Sequence, residues 1–113
     1  MGHLWIQSFP AAITVCDVNG IILDMNEKAL EAFKEDGGET LIGKNLLDCH
    51  PEPARSQLAE MLLTQRPKSY TIEKGGVKKL IYQTPWYDNG QYAGFVELSL
   101  PIPFEMPHFI RKP

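Results

Sequence analysis

The chain has 113 residues, a length typical of one domain, and its 43% apolar and 22% charged residues are typical of a globular protein and argue against a disordered one. The formal net charge of −3 argues against a nucleic-acid-binding protein, since the densest basic group is only Lys74, Lys78 and Lys79. Two cysteines are too few for a secreted disulfide scaffold, and no apolar stretch approaches the roughly 20 residues that span a bilayer. We therefore expect a cytoplasmic protein without membrane contact.

The first predicted element is a β-hairpin. Residues 12–17 are rich in β-branched side chains, and a second short strand is expected over 21–25. Between them, Asn19 and Gly20 form a strong turn signal, because both residue types tolerate positive φ angles.

Helical patterns follow the hairpin. Asn26 is a typical helix N-cap, and Ala, Leu and Phe recur behind it at helical spacing until a Gly-Gly pair ends the pattern. Residues 39–48 predict one or two short helical turns. Pro51 and Pro53 prevent a helix from continuing but suit the first turn of a new one, which we expect over 54–64. The apolar stripe of this last helix consists of Leu58, Met61 and Leu62.

The last third of the chain predicts a three-stranded meander. The strands are expected over 69–73, 79–84 and 91–100, separated by Gly-Gly and Asn-Gly turns. Because side chains alternate along a strand, one face of the last two strands is apolar with a few polar groups. We expect another part of the protein to cover this face. Its members are Leu80, Tyr82, Thr84, Trp86, Gly94, Val96, Leu98 and Leu100.

The order of these elements predicts the fold class. Two strands, several short helices and a meander, without strand–helix alternation, favour an α+β fold with an antiparallel sheet. We divide the chain into an apolar N-terminal flap over 1–11, a domain over 12–100 and a Pro-rich tail over 101–113 that cannot form a helix.

Four motifs in this order resemble the PAS sensor-domain family. They read CDVNGIILDMN, ALEAF, ETLIGKNLLD and YDNGQYAGFVELSL, and the resemblance covers residues 12–100. It implies a five-stranded antiparallel sheet of order 2-1-5-4-3, with short helices covering one face and a cavity between sheet and helices. PAS domains bind haem, flavins, small acids or nothing, so the cofactor stays open.

The resemblance gives the apolar strand face a role as a cavity wall. Aromatic bodies with polar tips can stack on a small organic ligand and orient it, which selects Tyr82, Thr84 and Trp86. The same volume is expected to be lined by Met25, Leu62, Val96 and Leu98. The alternative is an ordinary core face without a ligand.

His50 and Cys49 are the remaining candidates for ligand contact. Haem-binding PAS domains usually present an axial His from the covering helix, but residues 54–64 contain no His, so His50 is either a haem ligand just outside that helix or a brace that hydrogen-bonds its own turn. No metal site is expected, because the other soft donors are Cys16, His3 and His108, two of them in the tails. A covalent flavin photosensor is excluded by the missing Asn-Cys-Arg-Phe motif.

The sequence thus predicts a sensory module and not an enzyme, since no catalytic constellation is present. The leading interpretation is a cytosolic domain that binds a small ligand and signals through protein–protein contacts. The alternative is a ligand-free dimerisation module. In either case the resemblance implies a homodimer, which we expect to form through the N-terminal flap or the sheet face. The Pro-rich tail prevents the helical linker through which many PAS domains act, so either the protein stands alone or its output passes through the flap or the sheet surface.

Overall fold

Five strands form one antiparallel sheet in the computed structural model, which describes residues 4–113. They are β1 (Ala12–Cys16), β2 (Ile22–Met25), β3 (Lys68–Lys74), β4 (Val77–Asp88) and β5 (Gln91–Ile102). Their order across the sheet is β2-β1-β5-β4-β3. The predicted α+β class and strand order are confirmed, although β4 and β5 are longer than predicted.

The helices are short. They are α1 (Leu4–Ser8), α2 (Glu27–Ala32) and α3 (Ala54–Thr64), with 3-10 helices over Lys34–Asp36, Gly38–Leu41 and Leu46–Cys49. Apart from α1, all of them lie in the chain between β2 and β3. Over residues 4–113, none is long and apolar enough to cross a membrane. His3 lies outside the described residues.

The β1–β2 turn is held by the Asp17 carboxylate. Its Oδ1 accepts hydrogen bonds from the backbone N–H groups of Asn19 and Ile21, each at 2.9 Å. The turn closes at Gly20, whose φ of +87° suits glycine. The Asn-Gly turn signal therefore marks a real hairpin.

Asn26 joins three elements at the end of β2. Its side chain is 1% exposed, and its Oδ1 accepts from the backbone N–H groups of Ile13 at 2.9 Å and Ala29 at 3.1 Å. Its Nδ2 donates to the carbonyl oxygens of Ile6 at 2.9 Å and Ala11 at 2.8 Å. Asn26, predicted as a helix cap, thus also connects β1, α1 and α2 through its hydrogen bonds.

The predicted apolar face of β4 and β5 is one face, but apart from Val96, which lines the cavity, it is turned away from the helices. The inner face carries the alternate residues, including Ile81 and Gln83 on β4 and Phe95 and Glu97 on β5. The expectation that Tyr82, Thr84, Trp86 and Leu98 border the helices is therefore wrong. Alternation shows which side chains share a face, but it is equally compatible with helices on either side.

Trp86 has a structural role on the outer side of the sheet. Its Nε1 donates to the Cys16 carbonyl oxygen at 3.0 Å, which links β4 to β1 across β5. The residue of β5 opposite Trp86 is Gly94, where φ is +141° and any Cβ would overlap the Cys16 carbonyl oxygen. Only glycine fits at this position.

The two ends of the described chain are apolar and exposed. In α1, Leu4 is 78% and Trp5 64% exposed, and the Trp5 ring lies edge-on to Phe9 with centroids 6.1 Å apart. The tail after Ile102 is irregular and forms no helix, as its prolines predict, and the Lys78 Nζ donates to the Phe104 carbonyl oxygen at 3.2 Å.

Replacing Asn26 by Ala should lower the free energy of unfolding by about 3 kcal/mol, because four backbone groups around it lose their partner. Asn45 is the control, since it caps the 3-10 helix over Leu46–Cys49 but is only half-buried. Asn45→Ala should cost about 1 kcal/mol. Urea unfolding measures both, and equal losses would contradict the central role of Asn26.

Candidate functional site

A cavity of about 480 Å³ lies between the inner face of the sheet and the helices. The strands contribute one wall, the 3-10 helices and α3 the other. The lining residues are Thr14, Cys16, Ile22, Met25, Phe33, Asp36, Leu41, Leu46, Cys49, His50, Leu58, Met61, Leu62, Gln83, Phe95, Val96 and Glu97.

The structure brings five of the nine predicted ligand residues to this cavity. These are Met25, Cys49, His50, Leu62 and Val96. The other four, Tyr82, Thr84, Trp86 and Leu98, do not line it. Ligand contact by the five that do line it remains a prediction.

Helix α3 is positioned over the cavity by Leu62 and Tyr92. Leu62 is 6% exposed and packs in one core cluster with Cys16 and Phe95. The Tyr92 hydroxyl donates to the Leu62 carbonyl oxygen at 2.8 Å, which ties the end of α3 to the start of β5. The apolar stripe of α3 predicted from sequence, with Leu58 and Met61, therefore faces the cavity.

His50 both braces its turn and borders the cavity. Its Nδ1 lies 2.7 Å from the Leu46 carbonyl oxygen. A carbonyl oxygen can only accept, so Nδ1 carries the proton, and in the neutral imidazole Nε2 is left as an acceptor. The hydrogen-bonded brace considered as the alternative role is present, and the ring keeps one nitrogen for a ligand.

The two cysteines have different environments. Cys16 is 3% exposed, and burial raises the pKa of its thiol, with Asp17 adding to the rise and a backbone hydrogen bond from Phe95 opposing it. Cys49 is exposed and free at the rim of the cavity. Cys16 is therefore an inert core thiol, and Cys49 is the accessible one.

A polar pair interrupts the inner face of the sheet. Gln83 on β4 is directly opposite Glu97 on β5, and the Gln83 Nε2 donates to the Glu97 Oε2 at 2.8 Å. Both side chains are half-buried and line the cavity. Thr14 on β1 is the partner of Glu97 on its other side.

Sequence analysis missed Gln83 and Glu97 as cavity residues. The available signal was their position: each is a polar residue near the middle of a long strand, on the same side of the sheet as Phe95. A parity argument that asked which face needed polar groups would have found them.

The residues that line the cavity do not fit haem, because of their charge. The His50 Nε2 is available to iron, but the charged lining residues are Asp36 and Glu97, both acidic. Haem propionates would meet like charge without a lysine or arginine in the lining. Within residues 4–113, no group of three or more His, Cys, Asp or Glu side chains could hold a metal ion.

Comparison with known proteins gives one family. The family described as the PAS fold matches residues 1–90 of the chain. No curated protein matches this chain.

Solved structures share the fold at low identity. The PAS domain of BvgS from Bordetella pertussis is 20% identical with a TM-score of 0.67, and the match covers 89% of this chain and 83% of that one. The Aer2 receptor of Vibrio cholerae, described as a dual PAS-heme oxygen sensor, is 21% identical with a TM-score of 0.61, covering 82% and 95%. A C-terminal domain from Streptococcus mutans is 21% identical with a TM-score of 0.70, covering 88% and 81%.

The thiol environments predict selective labelling. With a thiol-reactive disulfide reagent in the folded protein, roughly one thiol per chain should react rapidly, because burial and the raised pKa of Cys16 protect it. Cys49→Ser should remove the rapid phase and Cys16→Ala should leave it. Equal rates for both thiols would show that Cys16 is accessible.

Proposed function

This chain belongs to the PAS-fold family, and we propose that it is a cytosolic sensory module that binds a small organic ligand in its cavity and signals through protein–protein contacts. PAS domains are sensory modules of signalling proteins. We assign no catalytic role to any residue. The proposed domain limits are those drawn from the sequence: the flap over 1–11, the sensor over 12–100 and the tail over 101–113.

The observation that carries the ligand proposal is the cavity itself. Its volume of about 480 Å³ lies within the range of roughly 300–1,000 Å³ that small-molecule sites occupy. Its wall is mainly apolar, with a few polar groups at defined places: His50, Gln83 and Glu97. This combination supports binding of a ligand with an apolar body and a polar group that fixes its orientation.

Signalling requires that the ligand binds one arrangement of the domain better than another. Helix α3 is the element best placed to move, because its residues Leu58 and Met61 line the cavity and its C-terminal end is tied to the sheet by the Tyr92–Leu62 hydrogen bond. A ligand that separates α3 from β5 would act on that hydrogen bond. The proposed output is a shift of α3 relative to the sheet.

The second candidate function is a ligand-free dimerisation module, and the outer face of the sheet favours it. The outer face is the face of the sheet opposite the cavity, and it carries an apolar band that α2 and α3 do not cover. Its members are Ile13, Val15, Leu80, Tyr82, Trp86, Leu98 and Leu100. Tyr82 lies at the centre of this band and is 41% exposed. The other members of the band are half-buried, and a contiguous apolar patch on a surface is typical of interaction sites.

Filling the cavity should abolish binding of an apolar probe. N-phenylnaphthylamine is a neutral dye whose fluorescence rises on burial, and we expect it to bind the purified protein at one site per chain. Leu58→Trp fills the cavity and should reduce binding about tenfold or more. The control is Leu63→Trp on the same helix, since Leu63 is 82% exposed and its replacement should leave binding intact.

Two results would contradict the ligand proposal. Dye binding that survives Leu58→Trp would place the dye elsewhere. Absence of dye binding by the unmodified protein would favour the dimerisation module.

A charge on the outer face should separate a dimer. Tyr82→Lys places two lysines near each other if the faces pair, so the sedimentation coefficient should fall to that of a monomer at micromolar concentration. Tyr70→Lys is the matched control, because Tyr70 is 40% exposed but lies on the inner side of β3, opposite Ile81. If both variants sediment like the unmodified protein, the dimer does not use the outer face.

A further inference from the structure

We propose that the cavity is selective for a cationic ligand: an apolar, preferably aromatic body that carries a protonated amine, with the amine bound by Glu97. This inference rests on the proposed function, since it names the class of molecule that the same cavity would take. It is carried by the position of one carboxylate and by the charges around it.

Glu97 holds its carboxylate at the cavity wall with most of its hydrogen-bonding capacity unused. Gln83 Nε2 donates to Oε2 at 2.8 Å, and this is the one hydrogen bond that the described chain supplies to the carboxylate. The amide of Gln83 thereby fixes the orientation of the carboxylate. An ionised carboxylate has about four acceptor positions, so Oε1 is free to accept from a ligand.

Glu97 also has no cationic partner among residues 4–113. The salt bridge found there joins Arg55 to Asp48 at 3.8 Å on the surface. A half-buried carboxylate is costly unless a cation or several donors compensate it. Tyr70, in the hollow beside the cavity, has a pKa that is raised by burial and, to a smaller extent, by the charge of Glu97. A ligand cation would supply the missing partner.

The rest of the cavity strengthens this preference. The other charged lining residue is Asp36, which is also acidic and lies at the exposed side. The cavity floor is apolar, formed by Met25, Phe95 and Leu62, all buried. An anionic ligand would meet two like charges, whereas an amine with an apolar body would satisfy both the carboxylate and the floor.

Basic residues lie nearby, but outside the cavity. A shallower hollow beside it shares Gln83 and Glu97 and also contains Arg66 and Lys68, both exposed. Lys68 Nζ lies 5.3 Å from the centroid of the Tyr70 ring, and neither basic residue makes a salt bridge to Glu97. A charge-assisted hydrogen bond to Glu97 from inside the cavity is therefore open to a ligand amine.

The test uses three probes with one apolar body. Phenylbutylamine is protonated at neutral pH, phenylbutanol is neutral and phenylbutyrate is anionic, and displacement of N-phenylnaphthylamine reports their affinities for the full chain. We expect the amine to bind about tenfold more tightly than the alcohol, and the carboxylate to bind more weakly than the alcohol. Glu97→Gln should reduce the affinity for the amine to that for the alcohol, with each displacement evaluated against the dye affinity of the variant itself.

The matched control is Glu73→Gln, which removes the same charge from β3 on the outer side of the sheet, opposite Lys78. It should leave the order of the three affinities unaltered, which excludes an effect of net charge. Urea unfolding shows that Glu97→Gln folds, and the order of affinities in the unmodified protein tests the inference without any variant.

The outcomes separate this inference from the proposed function. Equal affinities for amine and alcohol, a preference for the carboxylate, or dye binding that none of the three probes displaces would each overturn selectivity for a cation and leave the ligand cavity standing. Failure of the dye itself to bind would overturn both proposals.

Discussion

The whole fold depends on the four hydrogen bonds of the Asn26 side chain. At the point where β2 ends, one buried amide pairs with backbone groups of β1, of α1 and of the first turn of α2. A buried amide satisfies all its donors and acceptors only in one arrangement of its neighbours, and unsatisfied groups in the interior are costly. The angle at which the chain leaves the sheet after β2 is thereby set.

The cavity follows from the way the helices then cover the sheet. They are short and broken, and their apolar residues form two small clusters, one around Met25 and Ala29 and the other around Leu62 and Phe95. Short helices with narrow apolar stripes cannot fill the space over a five-stranded sheet as one long helix would. The Gln83–Glu97 pair borders the space left open, where water or a ligand can satisfy it.

The two faces of the sheet suit different partners for a physical reason. The inner face places a carboxylate beside apolar side chains, which suits a small molecule with one polar group. The outer face is apolar around Tyr82 and Leu98, which suits a flat macromolecular surface. On the outer face, the Trp86 indole reaches across β5 to β1, because Gly94 has no side chain in its way. A ligand inside and a protein outside would thus act on the same two strands.

The amino-acid sequence by itself determined the local features: the Asn19-Gly20 turn, the Asn26 cap, the apolar stripe of α3 and, through the resemblance of its motifs, the strand order. The turn, the cap and the stripe depend on neighbours within a few residues, so their signals are contained in short segments. The strand order, in contrast, was implied by the resemblance of the four motifs taken together. Only the tertiary structure decided which strand face meets the helices, and that Gln83 pairs with Glu97. Alternation along a strand is symmetric between the two faces, so the covered side is chosen by long-range packing, and the predicted ligand set with Tyr82 and Trp86 fell on the opposite side from the cavity.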